Sequence, residues 1–210
     1  MVPAEEVKNL TGASFAPWLE MESEAVSLSL CKKIKKLRDP RTFEWLWRFW
    51  GIPKKEIPSD QIWRGCYYQK EIESFYLPDV VLRWISRDIG WGVFAKKNFK
   101  KGEYLAHYTG VVRKRQKSDE RNSYCFEYRY SPEEPSPFLI DARNQGGISR
   151  YINHSSKGNL EPALASIGSL TYVVLLANRA IQKGQQLCYN YGPDYWSRRL
   201  APIDIEKGAL

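Results

Sequence analysis

Along the first third of the chain the apolar positions recur every three to four residues. Beyond it they come in short runs or alternate. Within Glu22–Arg38 they fall at Val26, Leu30, Ile34 and Leu37, a spacing that lays one apolar stripe along a helix. Asp39-Pro40 then reads as an N-cap followed by Pro at N1. Phe43, Leu46, Trp47 and Trp50 follow at i, i+3, i+4 and i+7, with Gly51 at C′. Trp45 and Phe49 widen that face. Such a helix either packs on the main body or offers a Trp-rich surface to a partner or a second copy. Ser59-Asp60 opens a further helix through Ile72. Residues 1–79 are therefore expected to form a helical N-terminal region.

Pro78 marks a change of texture. Short β-rich runs broken by Gly and Pro follow it, and they predict strands at Val80–Ser86, Val93–Ala95, Tyr104–Val112, Tyr124–Tyr130, Phe138–Asp141, Thr171–Ala177 and Gln186–Tyr189. Gly90-Trp91-Gly92 reads as a turn, and residues 131–137 as a Pro-rich loop. Many short strands, few helices and long connections predict a mixed, mainly β fold over residues 80–196, with 197–210 as a tail. Strands and helices do not alternate in the way a doubly wound sheet requires.

Composition narrows the function classes. With 210 residues, 43% of them apolar and 27% charged, the chain fits one globular domain with a sizeable flank. Eight Trp and 13 Tyr are enough to build both a core and pockets for flat or cationic ligands. No apolar run is long enough for a membrane-spanning helix, and the start MVPAEEVKNL lacks the pattern of a standard secretory signal. Cys31, Cys66, Cys125 and Cys188 are widely spaced, and the only histidines are His107 and His154. No metal site is expected, and the cysteines read as buried free thiols in a reducing compartment. Of the +8 net charge, none arises in residues 1–79, which hold 12 basic and 12 acidic residues. Lys96–Arg121 holds nine basic and three acidic. That run is either a solvated face or a contact for an acidic partner such as DNA.

Taken singly, the chemistry-bearing residues have ordinary readings. Gly90-Trp91-Gly92 suits a tight hairpin. His154 suits a structural hydrogen bond. Tyr189 and Tyr191, two apart on a strand, suit a core. Their combination is more specific. The block Gly90-Trp91-Gly92-Val93-Phe94-Ala95, Lys101-Gly102-Glu103 and Tyr108-Thr109-Gly110-Val111-Val112 comes first. Ile140-Asp141-Ala142 then leads to Ser149-Arg150-Tyr151-Ile152-Asn153-His154-Ser155, with Asn159 after it. The third block is Ala177-Asn178-Arg179-Ala180-Ile181, Lys183-Gly184 and Leu187-Cys188-Tyr189-Asn190-Tyr191-Gly192. Three blocks in this order resemble the SET-domain family of protein lysine methyltransferases.

The resemblance implies a SET-domain fold for residues 80–196: several small curved sheets with a C-terminal pseudoknot, plus the helical flank. It implies S-adenosylmethionine as methyl donor on one face, a peptide on the other, and a narrow channel between them. Carried over by motif, Gly90, Trp91 and Gly92 contact the cofactor, and Arg150, Tyr151, Asn153 and His154 surround its amino-acid part and adenine. Asn153 and His154 also tie the pseudoknot. Tyr191 matches the catalytic tyrosine and borders the cofactor. Tyr189 matches the channel position that tunes methyl number, and Tyr124 a further channel tyrosine. A hydroxyl at 189 leaves less room and favours mono- or dimethylation.

The departures are equally plain. Ser156 stands where many members carry Cys, and Gly146-Gly147 where Gly-Asn is frequent. No Cys-rich zinc segment flanks the blocks, so Tyr195-Trp196 is expected to complete the site. Trp196 either stacks on the adenine or packs as core. This compact zinc-free build resembles SET proteins of intracellular bacteria, chlamydial ones included. It implies a histone or histone-like protein substrate, and residence in the bacterial cytoplasm or delivery into a host cell and nucleus. A homodimer that completes the site stays open as one arrangement, and no membrane partner is expected. The reading that competes with catalysis is a catalytically weak SET-like module that binds chromatin or nucleic acid.

Overall fold

The computed structural model describes residue 9 and residues 11–38, 59–130, 136–168 and 170–197. The helix expected over Phe43–Trp50 lies outside the described residues. Thirteen strands are assigned among them: β1 (Ser14–Phe15), β2 (Leu19–Met21), β3 (Val80–Ser86), β4 (Gly90–Ala95), β5 (Tyr104–His107), β6 (Gly110–Lys114), β7 (Cys125–Glu127), β8 (Phe138–Asp141), β9 (Gln145–Gly146), β10 (Asn153–His154), β11 (Leu160–Ile167), β12 (Leu170–Ala177) and β13 (Cys188–Tyr189). They form four small sheets with orders β10-β13-β11-β12-β5, β2-β6-β8-β7, β3-β4 and β1-β9. The architecture is mixed and mainly β.

Several expected strands are cut or joined. Gly90-Trp91-Gly92 is not a turn: the turn lies at 87–89, and the three residues open β4, with Trp91 opposite Trp84 and Gly92 opposite Arg83. The run expected over Tyr104–Val112 breaks at Tyr108-Thr109, sending β5 to one sheet and β6 to another. Gly110 makes the corner at φ 153°, where a Cβ would lie 2.5 Å from the Asp141 carbonyl oxygen. Tyr124–Tyr130 shortens to β7 and Gln186–Tyr189 to β13, with Gln186 keeping one isolated bridge to Phe94. The N-terminal region is not helical throughout. β2 pairs in parallel with β6, and β1 with β9.

The helices form where capping and amphipathic spacing agree. Ser23 accepts from the Val26 amide at 3.3 Å at the start of α1 (Glu24–Arg38), and Glu24 adds a negative charge to the first turn. Val26 and Leu30, one turn apart, are buried against Val112, Phe138 and Ile140. The single helix expected after Ser59 is split into α2 (Ser59–Tyr67) and α3 (Gln69–Glu73) at Tyr68, whose hydroxyl donates to Gly102 O at 2.7 Å. Tyr68 and Ile72 pack on Tyr104, Ala165, Val174 and Leu176. Gln61 Nε2 donates to Ser166 Oγ at 2.7 Å, and Arg64 Nε to Leu164 O at 2.7 Å, which locks α2 onto β11. The third cluster, with Val93, Phe99, Leu105, Ile152, Leu175, Ile181 and Leu187, lies beneath the candidate site. Each such side chain contributes about 1.5–3 kcal/mol on burial. Among the described residues no helix is long and apolar enough to cross a membrane.

Candidate active site

The site is assembled where β13 slots between β10 and β11, the strands on either side of the 155–159 connection. Asn153 pairs with Cys188, and both His154 and Leu160 pair with Tyr189. The Ser155 amide donates to Tyr189 O at 3.2 Å. Asn159 holds the incoming segment at two points, donating from Nδ2 to Gln186 O at 2.8 Å and accepting from the Cys188 amide at 3.0 Å. Asn178 Nδ2 donates to Gly158 O at 3.0 Å. Asn153 Nδ2 donates to Trp91 O at 2.9 Å, tying β4 to the insertion. His154 Nδ1 accepts from the Tyr191 amide at 3.2 Å, which leaves the ring proton on Nε2. The late strand can therefore hold its place only when three earlier segments are already present.

Around this insertion stands a wall of rings. Tyr189 and Tyr191 lie 4.8 Å apart by centroid, and Phe126 sits 6.3 Å from Tyr189 and 5.2 Å from Tyr108. Gly192, at φ 85°, turns the chain into the short α4 (Pro193–Trp196). That helix brings Tyr195 to 4.7 Å from Tyr191, and sets Trp196 parallel to Tyr191 at 6.1 Å and edge-on to His154 at 5.0 Å. Tyr195 Oη donates to Ser123 O at 3.3 Å, closing one side. Tyr191 Oη donates to Ile152 O at 2.8 Å. Burial pushes the phenols of Tyr108, Tyr189 and Tyr191 well above the ordinary tyrosine range, and neighbouring phenols push in the same direction. All three stay neutral at physiological pH and act through O–H dipoles and ring faces.

Beside this wall lies Arg150, only 8% exposed. Its guanidinium sits 4.4 Å over the Tyr124 ring and 5.0 Å from Tyr151, and Nη2 donates to Arg143 O at 2.7 Å. Nε and Nη1 are buried with no partner among the described residues, as is Trp196 Nε1. A buried guanidinium with two idle nitrogens is costly unless an anion or acceptor meets it, so these donors fit a ligand carboxylate. Gly92 lets β4 pack closely against its neighbours: a Cβ there would lie 2.5 Å from Ile85 Cδ1, 2.9 Å from Gln186 Nε2 and 3.2 Å from Asn153 Nδ2. Among the described residues no group of His, Cys, Asp and Glu is arranged to hold a metal ion.

The structure thus brings Tyr189, Tyr191, His154 and Trp196 into one cluster, with Asn153, Trp91 and Gly92 along one edge and Arg150 and Tyr151 along another. Tyr124 lies near enough to Tyr191 to push its phenol upward. It is 37% exposed and committed to Arg150. The sequence reading gave no role to Tyr108 or Phe126, although Tyr108 falls inside its first block. It also passed over the network that holds the approach to Tyr124. Arg113 Nη2 reaches Asp119 at 2.5 Å and Asp141 at 2.6 Å. Arg113 holds the Asp119 carboxyl below its usual range. For Asp141 burial pushes upward, but Arg113, the Arg143 amide and Asn122 outweigh it and the net shift is down. Asn122 Oδ1 in turn accepts from the Tyr124 amide at 3.0 Å. Arg113 is drawn inward by this network and Lys97 pairs with Glu103 at 3.1 Å. The remaining basic residues of Lys96–Arg121 are exposed.

Comparison with known proteins agrees with this geometry. Residues 90–192 match the family model described as SET domain. The chain is 32% identical over 129 residues to histone-lysine N-methyltransferase ash1 of Drosophila melanogaster, covering 60% of this chain and 6% of that protein. It is 34% identical over 124 residues to N-lysine methyltransferase KMT5A-A of Xenopus laevis, covering 55% of this chain and 36% of that protein. Among solved structures, the Chaetomium thermophilum polycomb repressive complex 2 in an autoinhibited conformation bound to S-adenosylmethionine superposes with a TM-score of 0.50 at 25% identity, covering 60% of this chain and 17% of that one. The chain thus spans only a minor part of the length of each. Residues 90–192 of the chain are therefore a SET domain.

Proposed function

We propose that the chain is a protein-lysine N-methyltransferase that uses S-adenosylmethionine. The observation that carries this reading is the juxtaposition of a cluster of neutral tyrosines with a buried arginine whose Nε and Nη1 lack partners among the described residues. When bound, S-adenosylmethionine supplies an electrophilic methyl group on a positively charged sulfur. Arg150 Nε and Nη1 would take its carboxylate, Trp91 and Asn153 would border its amino-acid part, and the Trp196 indole would border its adenine.

The protein's own residues then do three things. The wall of Tyr108, Phe126, Tyr189 and Tyr191 excludes water and favours the neutral form of an entering lysine, whose ammonium otherwise persists to about pH 10.4. Their ring faces hold a cationic, methylated amine in line. Tyr191 keeps its proton and donates a hydrogen bond to Ile152 O, so the lysine proton leaves to water at the mouth rather than to a phenolate. The Tyr189 hydroxyl narrows the channel, which supports mono- or dimethylation over trimethylation.

The substrate we infer is a histone or histone-like protein, because the relatives named above are histone- and protein-lysine methyltransferases. The exposed lysines and arginines of 96–121 would touch DNA beside it. The test is methyl transfer from labelled S-adenosylmethionine to core histones, nucleosomes and a bacterial histone-like protein, with Tyr191→Phe alongside. Label on one substrate, reduced in Tyr191→Phe, supports the reading. No label together with no binding of S-adenosylhomocysteine would move the assignment to a SET-like module that binds nucleic acid.

A further inference from the structure

One fully enclosed hydroxyl joins parts of the molecule that are far apart in sequence. Thr109, 1% exposed, occupies the corner between β5 and β6. Its Oγ1 donates to Ala16 O at 2.6 Å and accepts from the Gly147 amide at 2.7 Å. Gly147 begins the 3-10 turn Ile148–Tyr151, which carries Arg150 and Tyr151, and Ser149 Oγ anchors the same turn by donating to His107 O at 3.0 Å. The turn leads directly to Ile152 O, the acceptor for Tyr191 Oη. The packing allows no slack, since a Cβ on Gly147 would lie 2.7 Å from Thr109 Oγ1.

On its other side Thr109 holds the N-terminal strands. The Ser14 amide donates to Asn144 O at 2.9 Å, the Ala16 amide to Gly146 O at 3.1 Å, and the Glu22 amide to Val112 O at 3.0 Å. Glu20 also accepts from Gln145 Nε2. Residues 14–22 lie outside the 90–192 match, yet they complete the edges of two sheets of that domain.

We propose that Thr109 is a positioning residue through which the N-terminal strands set the geometry of the turn bearing Arg150; this rests on the methyltransferase reading above. Thr109→Val keeps the shape and removes the hydroxyl, leaving the Ala16 carbonyl and the Gly147 amide buried and unpaired. Thr109→Ser keeps the hydroxyl. The experiment uses the full chain and measures calorimetric binding of S-adenosylhomocysteine, amide hydrogen exchange of residues 14–22 and 146–152 without ligand, and Tm. Thr109→Val is expected to raise the dissociation constant about tenfold and to speed exchange in both segments together. Thr109→Ser is expected to restore both. A Thr109→Val protein with lowered Tm but an unchanged dissociation constant would reduce Thr109 to a packing residue and overturn the proposal. Failure of the wild type to bind the ligand at all would overturn the proposed function, and the cofactor half of this inference with it.

Discussion

Tyr189 and Tyr191 stand two residues apart with different duties. The Tyr191 hydroxyl is spent on Ile152 O, so Tyr191→Phe breaks one partly buried hydrogen bond and frees its ring to shift. Methyl transfer should fall by about 100-fold, measured as single-turnover rate, because small misplacements in such channels are costly. Under the proposed function, Tyr189→Phe would remove a hydroxyl from the lysine channel. Mass spectrometry of the methylated product should show a shift toward higher methylation states, and an unchanged distribution would place the restriction elsewhere. His107 tests a different property. Its Nδ1 meets Tyr104 Oη at 2.6 Å and its ring hydrogen-bonds the Pro17 backbone, while burial holds its pKa down at about 4. The folded protein thus refuses a proton that the unfolded chain accepts near pH 6.5. Stability therefore falls as pH drops from about 6.5 to 4, by an amount on the order of 3 kcal/mol from this group. Urea denaturation at pH 7, 5.5 and 4.5 should show a shallower fall for His107→Gln.

Secondary elements were legible where burial is one-sided or continuous. β3 and β12 stood out because Val80–Ser86 and Thr171–Ala177 are apolar runs bounded by Pro78 and Asn178. β11 did not, although it forms an eight-residue ladder with β12. Glu161 and Pro162 interrupt it, and they are tolerated because β13 pairs with β11 at Leu160 alone. β1 and β2 are too short to show a period, and only distant partners make them strands. The motif residues of the site were legible as a family pattern. Tyr108 and the Arg113 network were not, because their importance lies in what surrounds them. At this scale Gly65 carries a prediction. A Cβ there would lie 1.9 Å from Ser166 O, so α2 and β11 touch backbone to backbone. Gly65→Ala should lift α2 from the sheet and cost about 2–3 kcal/mol, read as a Tm fall of roughly 5–10 °C by calorimetry. Methyl transfer per folded molecule should hardly change, since α2 lies away from the tyrosines.

At the scale of the whole molecule, the proposed methyl-donor site would lie at the junction of segments that sequence separates widely. A ligand held by Arg150, Trp91 and the β13 insertion at once should bind only the folded state. S-adenosylhomocysteine at 100 times its dissociation constant should then add about 2.7 kcal/mol of stability, visible as a concentration-dependent Tm. The insertion of β13 also joins distant segments. Cys188 pairs with Asn153, 35 residues earlier, and β13 lies between β10 and a β11 that is itself paired with β12. Closing that loop costs entropy before any contact rewards it. The candidate site is whole only when β13 stands between its two partners. A partly folded molecule of this protein would therefore be inert rather than indiscriminate, with no half-built pocket in which to spend a methyl donor.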